Sequence, residues 1–132
     1  MKVMLDTNIC IAIIRQKSPQ VLKRLTEHRG GEIGISWVTL AELEFGVAKS
    51  SQREKNKMAL LEFVVPLEIA AFDDLAAAEY GLVRAFLESK GKPIGPLDTL
   101  IAAHARSLRC VLVTNNQREF SRVPDLLTEN WV

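Results

Sequence analysis

The stretch Lys2-Val3-Met4-Leu5-Asp6-Thr7-Asn8 decides how this chain folds. Val3, Met4 and Leu5 form an apolar run of strand length. An acid, a hydroxyl and an amide follow at once, and then the apolar residues that run from Ile9 to Ile14. In an open α/β sheet, ligands bind just beyond the carboxyl ends of the strands. Read as the first and central strand, this run sets Asp6 at that mouth. The rest of the chain is then expected to bring further acids to meet it.

At 132 residues the chain fits one domain, expected to span residues 1–132, and a chain of that size buries roughly two-thirds of its unfolded surface. Its 48% hydrophobic and 25% charged residues are those of an ordinary globule. No apolar run approaches the roughly 20 residues of a membrane helix. Asp6 and Asn8 interrupt what would be a signal peptide. Cys10 and Cys110 show neither metal spacing nor a disulfide framework. A cytoplasmic protein with no membrane association is expected. The net charge of +1 does not announce nucleic acid. Its distribution is more suggestive, with Arg15, Lys17, Lys23, Arg24, His28 and Arg29 early, and Arg84, Lys90 and Lys92 ahead of Asp98. These are either solvated helix faces or a phosphate-binding rim.

Taken in order, Asn8 to Arg15 reads as a helix capped by Thr7 or Asn8. Ser18-Pro19 opens a second, with Val21, Leu22 and Leu25 at helical spacing and Gly30-Gly31 as its stop. Residues 32–35 form a strand, and Ser36 caps a third helix over residues 37–48. Val38, Ala41, Phe45 and Ala48 make its core face, with Glu42 at the border and Glu44 pointing elsewhere. Leu40, Leu43 and Val47 lie almost opposite, a face expected to be buried or to meet a partner, so that lysine at Leu40 or Leu43 should weaken association. Residues 57–64 resume a helix with Met58, Leu61 and Val65 in line, ended by Pro66. Residues 67–69 make a brief strand. Asp73 or Asp74 caps a long helix carrying Leu75, Ala78, Leu82 and Phe86 inward and closed by Gly91. Pro96 starts the next helix, so Asp98 lies in its first turn and shares a face with Ile101, Ala102 and Ala105. Residues 111–113 are the best strand, followed by Thr114-Asn115-Asn116, a helical turn over 117–120 and a final edge strand over 126–131. Strands alternating with helices predict an α/β fold, a mainly parallel sheet with helices on both faces.

Asp6, Glu42 and Asp98 each stand where an acid is locally awkward, at the end of an apolar strand or on or beside an apolar helix face. A buried carboxylate is paired, protonated or bound to a metal. Converging carboxylates make a hard-oxygen site suited to Mg²⁺ or Mn²⁺, which on phosphate positions a water and stabilises developing charge. Each acid also has a plainer explanation: a strand-end turn for Asp6, the helix dipole for Asp98, a surface position for Glu42. The argument is conjunctive, since all three are expected to point inward. Thr114, Asn115 and Asn116 belong to the same mouth or to turn chemistry, and Glu119 reaches it if its turn folds inward. His28 and His104 form no nucleophile–base arrangement, and no glycine-rich phosphate loop is present.

Four segments in order, Met4-Leu5-Asp6-Thr7-Asn8, Ser36-Trp37-Val38-Thr39-Leu40-Ala41-Glu42-Leu43, Pro93-Ile94-Gly95-Pro96-Leu97-Asp98 and Val113-Thr114-Asn115-Asn116-Gln117-Arg118-Glu119-Phe120, resemble the PIN-domain toxins of the VapC type. The resemblance spans essentially the whole chain and is greatest to the enterobacterial branch. It implies a Mg²⁺- or Mn²⁺-dependent endoribonuclease with catalytic, metal-ligating acids at Asp6, Glu42 and Asp98, supported by Thr7, Asn8, Thr114, Asn115, Asn116 and Glu119. It implies a toxin that halts translation by cutting structured RNA, with the tRNA anticodon stem-loop, and initiator tRNA first, as substrate. It also implies a homodimer held in a larger assembly with a VapB-type antitoxin, whose C-terminal segment crosses the active-site groove and which alone contacts operator DNA. Many PIN domains carry a fourth acid where this chain has Asn116, so one metal or two is left open. A dehalogenase-type phosphatase would want an acid at Asn8, and a receiver domain paired acids near Asp6. A catalytically idle PIN scaffold that binds RNA or a partner is the remaining alternative.

Overall fold

The structure is a computed structural model describing residues 1–16 and 18–131; Lys17, one of the early basic residues, lies outside them. In chain order the elements are β1 (Val3–Leu5), α1 (Thr7–Gln16), α2 (Pro19–Thr26), β2 (Ile33–Ser36), α3 (Trp37–Lys49), α4 (Arg53–Val64), β3 (Glu68–Ala70), α5 (Asp74–Ser89), α6 (Pro96–Leu108), β4 (Val111–Val113), α7 (Gln117–Phe120) and β5 (Thr128–Glu129). Every strand pair is parallel, in the order β3-β2-β1-β4-β5. β1 is central, with Val3 opposite Ile33 on one side and Val111 on the other. From β1 the chain winds first toward β3 and then returns to lay down β4 and β5. The order therefore reverses between β1 and β4, the crevice where doubly wound sheets bind ligands.

Alternation along β1 divides the core. Val3 and Leu5 join Ile9, Val21, Ile35, Leu43 and Leu60 beneath α1 to α4. Met4 joins Val83, Leu87, Ile101, Leu112 and Phe120 beneath α5 to α7. With both faces covered, the central strands β1 and β4 are apolar throughout, as buried parallel strands are, while the edge strands β3 and β5 carry Glu68 and Glu129. No helix among the described residues is long and apolar enough to cross a membrane.

Three helices turn a different side inward from the one their spacing predicts. On α3 the buried residues are Thr39 and Leu43, with Leu40 and Val47 against the core, while Phe45 is 65% exposed and Ala41 and Ala48 are exposed. Both stripes of this helix are apolar, so periodicity cannot choose between them; the start fixed by Ser36 does. α5 buries Ala76, Val83 and Leu87 and leaves Leu75, Ala78, Leu82 and Phe86 exposed. Its rotation is set by the small side chains of α6, Ala102 and Ala105, and by the Arg106–Glu79 ion pair at 2.7 Å. α4 starts at Arg53, before the expected position, and buries Leu60 while Met58, Leu61 and Val65 face outward.

β2 and β3 approach closely at Gly34, where a Cβ would run into the Glu68 carbonyl and the Met1 methyl. The Met1 methyl can swing aside, but the Glu68 carbonyl cannot retreat, because Gly34 and Glu68 are register partners. Gly34→Ala is expected to lower stability by about 3 kcal/mol, more than ordinary overpacking, because backbone must move. A melting temperature within a degree of the parent would refute this.

Candidate active site

Asp6 leaves β1 at the switch point and is 3% exposed. Its own N–H donates to the Val113 carbonyl at 3.0 Å, which ties the loop to β4. One carboxylate oxygen accepts the Ile9 N–H at 2.9 Å and the other accepts the Thr114 hydroxyl at 2.5 Å. Asp6 itself therefore caps α1, in place of Thr7 or Asn8. Burial raises its pKa, against the lowering effect of the Thr114 and Ile9 hydrogen bonds, and Glu42 raises it further.

Glu42 stands on α3, which Ser36 starts by accepting the Val38 N–H at 3.0 Å. The Thr7 hydroxyl donates to Glu42 at 2.7 Å and lies 3.3 Å from the hydroxyl of Thr39. Thr39 is fully buried, and as the residue three before Glu42 it shares that helix face. That spacing was the signal by which Thr39 could have been found in the sequence.

Asp98 occupies the first turn of α6, half-buried, and accepts no hydrogen bond among the described residues. Its pKa is pushed up to about 6, first by burial and then by the negative charges of Glu119, Asp6 and Glu42. Glu119 enters from α7. One of its oxygens accepts the Gly95 N–H at 3.1 Å and the other accepts the Asn116 side-chain amide at 2.7 Å. The acid that faces Asp98 from beyond β4 is thus Glu119, and Asn116 is the group that holds it. Thr114 is fully buried and anchors the Asn116 N–H at 2.9 Å. Asn8 and Asn115 are exposed; the backbone of Asn8 adds a hydrogen bond to Asp6, and its side chain takes no part in holding these acids.

Four carboxylates from four elements therefore meet at one crevice, where Asp98 is repelled by the other three and Asp6 by Glu42, and no lysine or arginine among the described residues forms an ion pair with any of them. Among the described residues no three acids are drawn close enough to ligate one ion as they stand. The donor set nonetheless fits a hard divalent cation: all oxygen, all anionic, with Asp98 free of any competing donor.

Beside the acids runs a groove of about 790 Å³, with Thr7, Asn8 and Glu42 at one end, Ile11, Phe45 and Leu97 along it, and Arg15 and Lys49 on its rim.

Comparison with known proteins gives a consistent result. The PIN domain family model matches residues 3–126. The tRNA(fMet)-specific endonuclease VapC of Shigella flexneri is 45% identical over 131 residues, 99% of this chain and 98% of that protein. Ribonuclease VapC2 of Haemophilus influenzae is 43% identical over 132 residues, 100% of this chain and 99% of that protein. Among solved structures, DNA-bound VapBC from Salmonella typhimurium superimposes with a TM-score of 0.97 at 42% identity, covering 100% of this chain and 99% of that one. VapBC2 from Rickettsia felis, bound to a DNA fragment from its promoter, gives 0.96 at 42% identity over 100% of both chains. With its acids gathered at the β1–β4 switch point, this chain belongs to the PIN-domain family and, within it, to the VapC ribonucleases.

Proposed function

We propose that the chain is the toxin of a toxin–antitoxin pair, an endoribonuclease that uses Mg²⁺ or Mn²⁺ to cut structured RNA. The observation that carries this is the convergence of Asp6, Glu42 and Glu119 on a half-buried Asp98, where burial first and then their negative charges push it up to about 6. Asp6, Asp98 and Glu42 would hold the ion, with Glu119 as the fourth acid. When bound, the ion neutralises charge on the scissile phosphate and positions a water for in-line attack. The protein's own part is to hold the acids in place. Thr114 and the start of α1 fix both oxygens of Asp6, Thr7 fixes Glu42, and Gly95 with Asn116 fixes Glu119. Three of the four carboxylates are thus aimed before substrate arrives, which is where such sites gain their rate.

The relative from Shigella flexneri is named for tRNA(fMet), so initiator tRNA is the substrate to test, at its anticodon stem-loop. Relatives solved as VapBC complexes on DNA support a VapB-type antitoxin as partner, with operator DNA reached through it. The groove beside Glu42 is the surface we assign to the antitoxin's C-terminal segment. The exposed stripe of Leu75, Leu82 and Phe86 on α5 is the one we assign to a second copy of the chain. To test the function, purified protein is incubated with total RNA in Mg²⁺ and the new 5′ ends are sequenced. A few sites concentrated in initiator tRNA, abolished by chelator, are expected. Intact RNA, or cleavage indifferent to chelator and to Asp6→Ala, would leave an idle binding scaffold.

A further inference from the structure

His104 is a buried polar group for which the proposed chemistry has no use. It is 1% exposed and is held at three points. Nδ1 lies 2.7 Å from the Ser36 hydroxyl oxygen, which also accepts the Val38 N–H and so starts α3. A backbone hydrogen bond joins the ring to Ala71, just past β3. Phe72 meets the ring edge-on at 5.3 Å and 74°. Burial lowers the pKa of the ring, against the Asp73 charge and the Ala71 bond, which keeps it neutral near neutral pH. A neutral imidazole has one N–H. With that N–H given to the Ala71 carbonyl from Nε2, Nδ1 is left as an acceptor. The Ser36 hydroxyl then donates to His104 while it accepts from Val38.

This pairing joins two of the three helices that carry the site's acids. Ser36 lies six residues before Glu42, and His104 lies six residues after Asp98, about 9 Å along each helix. We propose that His104 is a positioning residue for the nuclease: through Ser36 it locks α3 to α6 and so sets the separation of Glu42 and Asp98. The inference rests on the nuclease reading above. A buried polar pair of this kind adds less stability than apolar packing of the same volume would. What it fixes is register, because the hydrogen bond tolerates neither sliding nor rotation, whereas apolar contacts tolerate both. Misplacing a reacting group by an ångström costs up to about a hundredfold in rate, so a loosened clamp is felt at the acids.

The test uses two variants of the full chain that each keep half of the clamp. His104→Asn retains an acceptor near Nδ1 for Ser36; His104→Gln retains a donor near Nε2 for Ala71 and loses that acceptor. Cleavage of a transcribed initiator-tRNA anticodon stem-loop, Mn²⁺ affinity by calorimetry, and melting temperature are measured on each. His104→Gln is expected to lose about tenfold in kcat, with KM within about twofold and Mn²⁺ affinity down about fivefold. His104→Asn is expected to stay within about threefold of the parent on every count. Ser36→Ala should reproduce the glutamine variant, and it replaces that variant if glutamine does not fold. Phe72→Leu, which removes the ring contact alone, should lower the melting temperature and leave kcat unchanged. Equal losses in the asparagine and glutamine variants that follow melting temperature would overturn the proposal, as would wild-type kcat and Mn²⁺ affinity in His104→Gln. If the parent itself cuts no RNA, the nuclease reading has failed. The Mn²⁺ comparison then decides the clamp by itself, and an unchanged affinity in His104→Gln overturns it.

Discussion

Asp98→Asn is expected to reduce RNA cleavage by about a thousandfold, ~4 kcal/mol of barrier, while the metal-free protein becomes more stable at neutral pH. The two effects share one cause. In the folded chain Asp98 has its pKa raised to about 6, by burial and then by Glu119, Asp6 and Glu42. An acid whose folded pKa lies above its unfolded value binds more protons when folded, so its ionisation works against folding. That penalty is absent below the unfolded value, near pH 4, grows between pH 4 and 6, and is fully present above 6. An uncharged amide removes it. The melting temperature of metal-free Asp98→Asn should therefore exceed that of the parent by a few degrees at about pH 7.5, and the gap should close near pH 4. Mn²⁺ should raise the melting temperature of the parent and have little effect on the variant, since binding to the folded state alone stabilises by mass action. A variant that cuts RNA at the parental rate would remove Asp98 from the chemistry. One that melts below the parent at neutral pH would show that the carboxylate is held by attraction rather than strained by burial and repulsion.

That these acids could be picked out of the sequence reflects where they stand. Asp6 interrupts an apolar run at a strand end, and Asp98 follows Pro96 on a stripe whose other members are apolar. Both are local contradictions, which the chain keeps only where the fold supplies a reason. β1, β4, the Ser36 cap and the Pro96 start were legible for the same reason: each depends on neighbours within a few residues. What escaped depends on partners distant in sequence. The rotation of α5 is set by the alanines of α6 and by the Glu79–Arg106 pair. The Ser36–His104 bond spans 68 residues. Glu119 is aimed by Gly95, on a different loop. Asn116 read as a candidate in its own right because it follows a strand, yet its amide serves Glu119. A single acid can betray itself in sequence, and so can a supporting hydroxyl such as Thr7 or Thr114, but not which acid each of them holds.

The reversed faces of α3 change which substitutions test the partner surface. Leu43 is 6% exposed and lies in the core beneath α1 to α4, so Leu43→Lys would bury an ammonium without a counter-charge. Such a change costs on the order of 4 kcal/mol or more, against a total stability of about 5–15 kcal/mol for a domain. Leu43→Lys is therefore expected to yield little folded protein, and any loss of association it caused would say nothing about an interface. Phe45 is the informative residue. It is 65% exposed, lines the groove that begins at Glu42, and carries Lys49 over its ring at 5.0 Å. Aromatic anchors of this kind account for 2 kcal/mol or more in a typical interface, which is about a thirtyfold change in affinity. Phe45→Lys should fold, melt within about two degrees of the parent and keep cutting RNA. Its inhibition by a co-expressed antitoxin should weaken at least thirtyfold, read as growth arrest that the antitoxin no longer relieves and as early dissociation of the purified complex. If Phe45→Lys remains fully inhibited, the antitoxin lies elsewhere. The stripe of Leu75, Leu82 and Phe86 on α5 is then the face to alter, with the mass of the complex in solution as the measurement.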